Sequence, residues 1–222
     1  MNTLKFILEK YNIRFDSLTH MPIEIPNIGR DDLSALFCDL DYKTGVEIGV
    51  EQGKFSESLC KHNPGVKLSC IDPWEAYPGY RLNKSSEVVN NYYLEAKIRL
   101  APYKCKLIKK FSLDAVKDFA DRSLDFVYID GNHNFQNCTN DIVEWTNKIK
   151  IGGILAGHDY VRHKRPTGMH VVEVVNAYTD AYAIKPWFVL GSKEKKEGEV
   201  RDSERSFMWV VEYLSNPSRN QQ

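Results

Sequence analysis

The chain has 222 residues, with 30 basic and 30 acidic side chains, a formal charge of zero, 42 % hydrophobic and 12 % aromatic residues. That length fits one domain with a sizeable core, and the neutral balance argues against a protein built to coat nucleic acid or anionic membrane, both of which ask for a basic surface. No run approaches the ~18 apolar residues of a membrane span. The opening MNTLKFILEKYNIRFD places Lys5, Glu9 and Lys10 inside its apolar pattern, unlike a signal peptide. The five cysteines, Cys38, Cys60, Cys70, Cys105 and Cys138, are odd in number and form no CxxC pair, so they read as packing thiols of a cytoplasmic protein.

In chain order, Leu4, Ile7, Leu8 and Tyr11 mark one short helix, and Leu33, Leu36, Phe37 and Leu40 a second, entered through Asn27-Ile28-Gly29. A proline-punctuated linker, Met21 to Pro26, joins them. Residues 1–43 are thus expected to form a helical cap segment, and a dimer contact or a cover over substrate are its candidate roles. From Thr44 the texture alternates. Strands are predicted at Gly45–Val50, Lys67–Ile71, Cys105–Lys109, Leu124–Ile129 and Gly153–Gly157, and helices at Lys54–His62, Glu87–Leu100, Leu113–Phe119, Phe135–Ile149 and Met169 to about Tyr182. This rhythm predicts an α/β, Rossmann-like doubly wound sheet, mostly parallel, with helices on both faces. Lys185–Leu190 and Phe207–Glu212 have only a charged stretch between them, and predict an antiparallel hairpin at one sheet edge. The main domain is expected over 44–214, followed by a polar tail, 215–222.

In such a sheet, ligands lie beyond the carboxyl ends of the strands. The first strand ends in Val46-Glu47-Ile48-Gly49-Val50-Glu51-Gln52-Gly53. Gly49 permits a tight turn and Gly53 a close helix start, so the segment is either a cofactor loop or a plain structural turn. Glu51 occupies the middle glycine of the G-x-G-x-x-G diphosphate fingerprint and, with Glu47, favours a cationic or zwitterionic ligand over NAD or ATP. The second strand ends in Asp72-Pro73-Trp74. Asp72 lies 23 positions after Gly49, close to the ~20-residue offset at which a carboxylate meets a ribose diol, the alternative being a turn aspartate before proline. Glu47 and Asp72 are expected to face one crevice.

The segments VEIGVEQGKFSESL, SCIDPW, LDFVYIDGNHNFQNCTNDIVEW and IKIGGILAGHDY together resemble a class I S-adenosylmethionine-dependent methyltransferase, and more narrowly the small-molecule O-methyltransferase group with an IDGxH…HDY signature. The likeness covers about Thr44 to Tyr160. It implies a seven-stranded sheet whose last strand is antiparallel and inserted before the sixth. It also implies that Glu47, Gly49 and Gly53 surround the methionine part of the cofactor, Asp72 holds the ribose and Trp74 flanks the adenine. Phe111 stands where the family commonly has an acid, which leaves adenine recognition to Ser112 or to backbone.

Asp130-Gly131-Asn132-His133 and Gly157-His158-Asp159-Tyr160 close the fourth and fifth predicted strands. Neighbouring strands are ~4.8 Å apart, so Asp130, His158 and Asp159 can converge around Mg²⁺ or another divalent ion, unless the imidazole marks a site without metal. Asp130 is expected beside the cofactor as well. His133 is the candidate base, because an imidazole ordinarily titrates near ~6.5; the other reading is a structural histidine. Tyr160, Arg162, Lys164 and Arg165 form either a loop for an anionic acceptor group or a solvated loop. The function expected is methyl transfer to the oxygen of a small hydroxylated acceptor, such as a sugar or nucleotide-sugar. The rival readings are an NAD-type oxidoreductase and a catalytically silent nucleotide-binding relative. Membrane partners are not expected, and nucleic acid is disfavoured.

Overall fold

The computed structural model describes residues 2–77, 84–162, 168–191 and 205–212. Its strands are β1 (Ile23–Ile25), β2 (Thr44–Ile48), β3 (Lys67–Asp72), β4 (Cys105–Lys109), β5 (Leu124–Ile129), β6 (Ile149–Gly157), β7 (Phe188–Leu190) and β8 (Ser206–Val210). The helices are α1 (Thr3–Lys10), α2 (Arg30–Asp39), α3 (Lys54–His62), α4 (Ser86–Leu100), α5 (Ser112–Ala115), α6 (Phe135–Thr146) and α7 (Val171–Ala181). They build one eight-stranded sheet in the order β1-β7-β8-β6-β5-β2-β3-β4. Every pairing is parallel except those of β8, which runs antiparallel to both β6 and β7.

Side-chain alternation explains the two-layered core. On β5, Phe126 and Tyr128 point to the face covered by α1 to α4, while Val127 and Ile129 point to the face covered by α6 and α7. Phe37 of α2 stacks on Phe126 with ring centroids 4.2 Å apart, and both rings are fully buried. Trp145 of α6 fills the opposite layer, where the short α5 and the 3₁₀ turn Val116–Asp118 also pack. The doubly wound expectation therefore holds, with helices on both faces.

Several details differ from the sequence reading, among them the start of β6, at Ile149 rather than Gly153, with α6 ending at Thr146. The proline-punctuated linker carries a short strand, β1, whose residues Ile23 to Ile25 pair with Phe188 to Leu190 of β7. This brings the count to eight strands. The terminal pair does not form the sheet edge, because β8 lies inside, between β6 and β7, as the family likeness implies, and β1 is the edge. The helix expected from Leu113 to Phe119 is a single α turn followed by a 3₁₀ turn. Residues 1–43 pack into the sheet rather than beside it: Ile7, Leu33, Leu36 and Phe37 belong to the main apolar cluster, and the Thr3 hydroxyl donates to the Gly152 carbonyl at 2.6 Å. The tail 215–222 lies outside the described residues. Among the described residues no helix is long and apolar enough to cross a membrane.

Candidate active site

From β2 the chain winds outward to β3 and β4, then returns to β5 and β6 on the other side. The carboxyl ends of β2 and β5 thus meet at the switch in winding, where open α/β sheets take their ligands. A hollow of about 650 Å³ lies there, lined by residues that follow β2, β3, β4, β5 and β6. Its volume falls in the range of small-molecule sites. Seven carboxyl side chains reach its wall (Glu51, Asp72, Glu75, Asp114, Asp130, Asp141 and Asp159) against Lys84 and Lys110, which favours a ligand bearing positive charge.

Gly49 is required here by contact. Its φ is +86°, and a Cβ would overlap the Asp130 carbonyl oxygen, so only glycine lets the ends of β2 and β5 close on each other. Three other residues at this edge, Glu51, Trp74 and Asp159, hold left-handed φ values of +50°, +40° and +56°. Such conformations cluster where ligand sites over-determine the backbone. Asp72 ties two of these turns together: Oδ2 accepts from the Glu51 amide at 3.0 Å and Oδ1 from the Trp74 amide at 2.7 Å. Burial raises its pKa above the ordinary carboxylate value despite these amides. The Val50 amide also bonds this carboxyl, and Asp72 lines the hollow.

The far wall comes from β5, α5 and α6. Asn134 caps α6 by accepting from the Asn137 amide at 2.8 Å, and Asn132 accepts from the Asn134 amide at 3.0 Å. Between them His133 is held fast, its carbonyl accepting from the His170 amide at 2.8 Å. His133 Nε2 lies 3.4 Å from Asp130 Oδ1 and 3.4 Å from Asp159 Oδ2, yet it is buried without a hydrogen bond. One ligand atom from each of these three residues lies within 4.8 Å of the others. His158 stands beside this cluster, with Nδ1 3.2 Å from Asp159 Oδ1 and 3.9 Å from Asp130 Oδ1. Burial pulls its pKa down, but the Asp159 bond and the two carboxylates outweigh burial and leave it raised. Arg30 arrives from α2, its Nη1 3.9 Å from Asp130 Oδ2.

The family described as a methyltransferase domain matches residues 46–160, more than half of the chain. The chain belongs to this methyltransferase family. No curated protein sequence matches it. Among solved structures it is similar to the O-methyltransferase from Bacillus cereus in complex with SAH (TM-score 0.58, 16 % identity, covering 96 % of this chain and 91 % of that one). It is also similar to the O-methyltransferase TomG from Streptomyces achromogenes, involved in tomaymycin synthesis and in complex with SAM (TM-score 0.55, 14 % identity, 96 % and 90 % covered). A third likeness is to the cofactor-bound Rv0187 from MTB (TM-score 0.60, 13 % identity, 95 % and 90 % covered). At these identities the likenesses establish a shared fold.

Within this methyltransferase, the hollow gathers Gly49, Asp72, Ser112, Asp130, His133 and Asp159 from the residues singled out in the sequence. It does not gather Glu47, which is 1 % exposed and accepts from the Ser56 hydroxyl of α3. Glu47 shares a face of β2 with Gly45, opposite Val46 and Ile48, and so points across the sheet face, not off its edge. Burial raises its pKa to about 8, so it is largely neutral at pH 7. Gly53 caps α3 with φ +73°, against Leu100 and Ala96 of α4. Trp74 is also withdrawn from the hollow: its indole donates to the Glu51 carbonyl at 2.8 Å and its ring packs on Tyr93. Tyr160 is buried, donating to Asn176 Oδ1 at 2.8 Å, and does not face an acceptor space. Arg162 pairs with Glu173 at 3.1 Å, while Lys164 and Arg165 lie outside the described residues.

Asp141 is the wall residue that sequence reasoning missed. Trp145 Nε1 donates to Ser112 Oγ at 2.8 Å, which frees the Ser112 hydroxyl hydrogen for the Asp141 carboxyl. Burial raises the Asp141 pKa to about 7, against the pull of Ser112 and of His133. No side chain at Gly131 screens it, since a Cβ there would already lie 3.4 Å from Asp141 Oδ2. Tyr77 completes this side, its ring meeting Phe111 edge-on at 5.4 Å and its oxygen 3.4 Å from Asn132 Nδ2.

Proposed function

We propose that the protein is an S-adenosylmethionine-dependent O-methyltransferase acting on a small hydroxylated acceptor, with a sugar or nucleotide-sugar as the leading class and a divalent cation at the acceptor end. The observation that carries the reading is the acidic hollow at the β2/β5 switch point, with Asp72 at one end and the Asp130, His133, Asp159 cluster at the other. When bound, S-adenosylmethionine supplies a methyl group made electrophilic by its sulfonium charge. The protein's part is alignment and charge management. Asp72, lining the hollow at the end of β3, takes the ribose diol. Asp141, steadied by Ser112, faces the exocyclic amine of the adenine in place of the missing acid at Phe111. The remaining carboxylates offset the sulfonium charge, and a second charged group on the acceptor is not required.

The donor set fits a hard divalent ion. Two carboxylates and an imidazole suit Mg²⁺ or Mn²⁺, and cis ligands ~2.1–2.4 Å from an ion stand about 3.0–3.4 Å apart, the spacing found around His133 Nε2. Three such ligand atoms within 4.8 Å of one another are favoured by a positive charge among them. Asp130, His133 and Asp159 would hold the cation, which would acidify an acceptor hydroxyl. His158 acts on this group as a positioning residue by fixing the Asp159 carboxylate. In a cation-free site the same Nε2 would be the proton acceptor, with both carboxylates steadying the imidazolium.

Isothermal titration with S-adenosylhomocysteine tests the cofactor reading. The wild type is expected to bind in the micromolar range, and Asp72→Asn to lose roughly ten- to hundredfold, the worth of one or two charge-assisted hydrogen bonds. No binding to the wild type would overturn it.

A further inference from the structure

Behind the hollow, three of the five cysteines meet at one place. Cys60 lies near the end of α3, Cys70 in the middle of β3, and Cys105 opens β4, where it pairs in register with Leu68. The sulfur atoms of Cys60 and Cys105 are 3.2 Å apart across 45 residues of sequence. Cys60 and Cys70 are buried, whereas Cys105 is partly exposed. None of the three lines the hollow, and methyl transfer makes no use of them.

The local chemistry is asymmetric. The Cys60 and Cys105 sulfurs are within hydrogen-bond reach and either can donate; with the buried Cys60 and Cys70 as donors, the Cys105 thiolate is stabilised and its pKa lowered. In that arrangement Cys60 and Cys70 hold their protons and shift upward, each also desolvated by burial. The thiol that ionises most readily is thus the one that solvent reaches, and a protonated thiol is in van der Waals contact behind it. Nucleophile and partner are arranged in this way where a cysteine is oxidised reversibly.

We propose that Cys105 and Cys60 form a thiol pair that reacts with hydroperoxides, Cys105 as the attacking sulfur and Cys60 as the resolving one. Cys105 thiolate attacks one peroxide oxygen. The O–O bond breaks, the other oxygen leaves as water or an alcohol after taking a proton, and Cys105 becomes a sulfenic acid. The peroxide is thereby reduced by the two electrons that the sulfur loses. Cys60 sulfur then attacks the sulfenic sulfur. The S–S bond forms, the S–O bond breaks, and the hydroxyl departs as water with the Cys60 proton. A dithiol reductant reverses the change. The sulfurs need close by only about 1 Å to reach a disulfide length, so the cross-link forms without opening the sheet. It ties α3 to the first residue of β4, whereas the hollow lies beyond the carboxyl ends of the strands, and therefore raises the unfolding midpoint while leaving S-adenosylhomocysteine affinity within about twofold.

The test treats the whole protein with equimolar hydrogen peroxide, followed by intact mass and peptide mapping. The wild type is expected to lose two hydrogens and to yield a Cys60–Cys105 cross-linked peptide that dithiothreitol removes. Cys60→Ser is expected to accumulate a dimedone-reactive sulfenic acid on Cys105, forming roughly tenfold faster than any product at the exposed Cys38. Oxidation that begins at Cys38 and leaves Cys105 reduced would overturn the proposal, as would a cross-link from Cys105 to Cys70. The wild-type cross-link needs no variant, so a folding defect in Cys60→Ser leaves the test intact.

Discussion

Glu47→Gln separates two accounts of the most buried carboxyl among the described residues. The side chain is 1 % exposed, holds the Ser56 hydroxyl, and has its pKa raised by burial from 4.5 to about 8. An acid whose pKa is higher in the folded than in the unfolded chain stabilises the fold fully below its unfolded pKa, and that stability drains away as pH rises through the folded value. The whole effect amounts to about 5 kcal/mol, of which about 3 kcal/mol falls between about pH 5.5 and about pH 8.5. Glutamine keeps the shape and cannot ionise. Urea denaturation of wild type and Glu47→Gln at those two pH values is therefore expected to show the variant gaining about 3 kcal/mol on the wild type as the pH is raised. An advantage that does not change with pH would mean that Glu47 is ionised inside the fold. It would then be available as a charged partner for a ligand's ammonium, and the assignment made here would be refuted.

Other consequences can be measured with equal directness. Phe37→Ala removes a fully buried ring stacked on Phe126, and is expected to cost about 3–5 kcal/mol in chemical denaturation; a loss below about 1 kcal/mol would make residues 1–43 a detachable appendage. At about pH 8.5, where Asp141 with its pKa of about 7 is ionised, the wild type is expected to prefer S-adenosylhomocysteine to its deaminated inosine analogue by roughly ten- to hundredfold, and Asp141→Leu to lose that preference, because a carboxylate accepts from the exocyclic amine and cannot donate to the carbonyl that replaces it. Mg²⁺ or Mn²⁺ is expected to raise the thermal midpoint of the wild type and to leave that of Asp130→Asn unmoved. An equal rise in both would place the ion elsewhere.

Most of the sheet was legible because its strands are short β-branched runs separated by helical periodicity. β4 and β5 begin and end where the sequence places them. β1 was hidden because three residues between prolines carry no strand signal of their own; their order comes from pairing with β7. The interior position of β8 is a matter of long-range pairing, which the periodicity of a strand does not encode. At the site, residues just past the strand ends were legible, because the doubly wound fold delivers Asp72, Asp130 and Asp159 to one edge whatever their rotamers. Glu47 was misassigned by proximity to the motif, although the period of two already turns it onto the sheet face. His133 and His158 exchanged places in the cluster because the Asn132 and Asn134 turns swing His133 inward, a local hydrogen-bond effect. Asp141 was invisible for a different reason. On α6 it reads as one more polar residue of an amphipathic helix, and only Ser112, brought over by α5, shows it to be a wall of the hollow.

A crystal structure with S-adenosylhomocysteine and Mg²⁺ would probe the whole arrangement in one measurement. The ribose hydroxyls should lie on Asp72, the adenine amine on Asp141, and the sulfur should point toward an ion held by Asp130, His133 and Asp159. A nucleoside bound with its ribose away from Asp72, or a hollow that stays empty while the ligand sits elsewhere, would contradict the account.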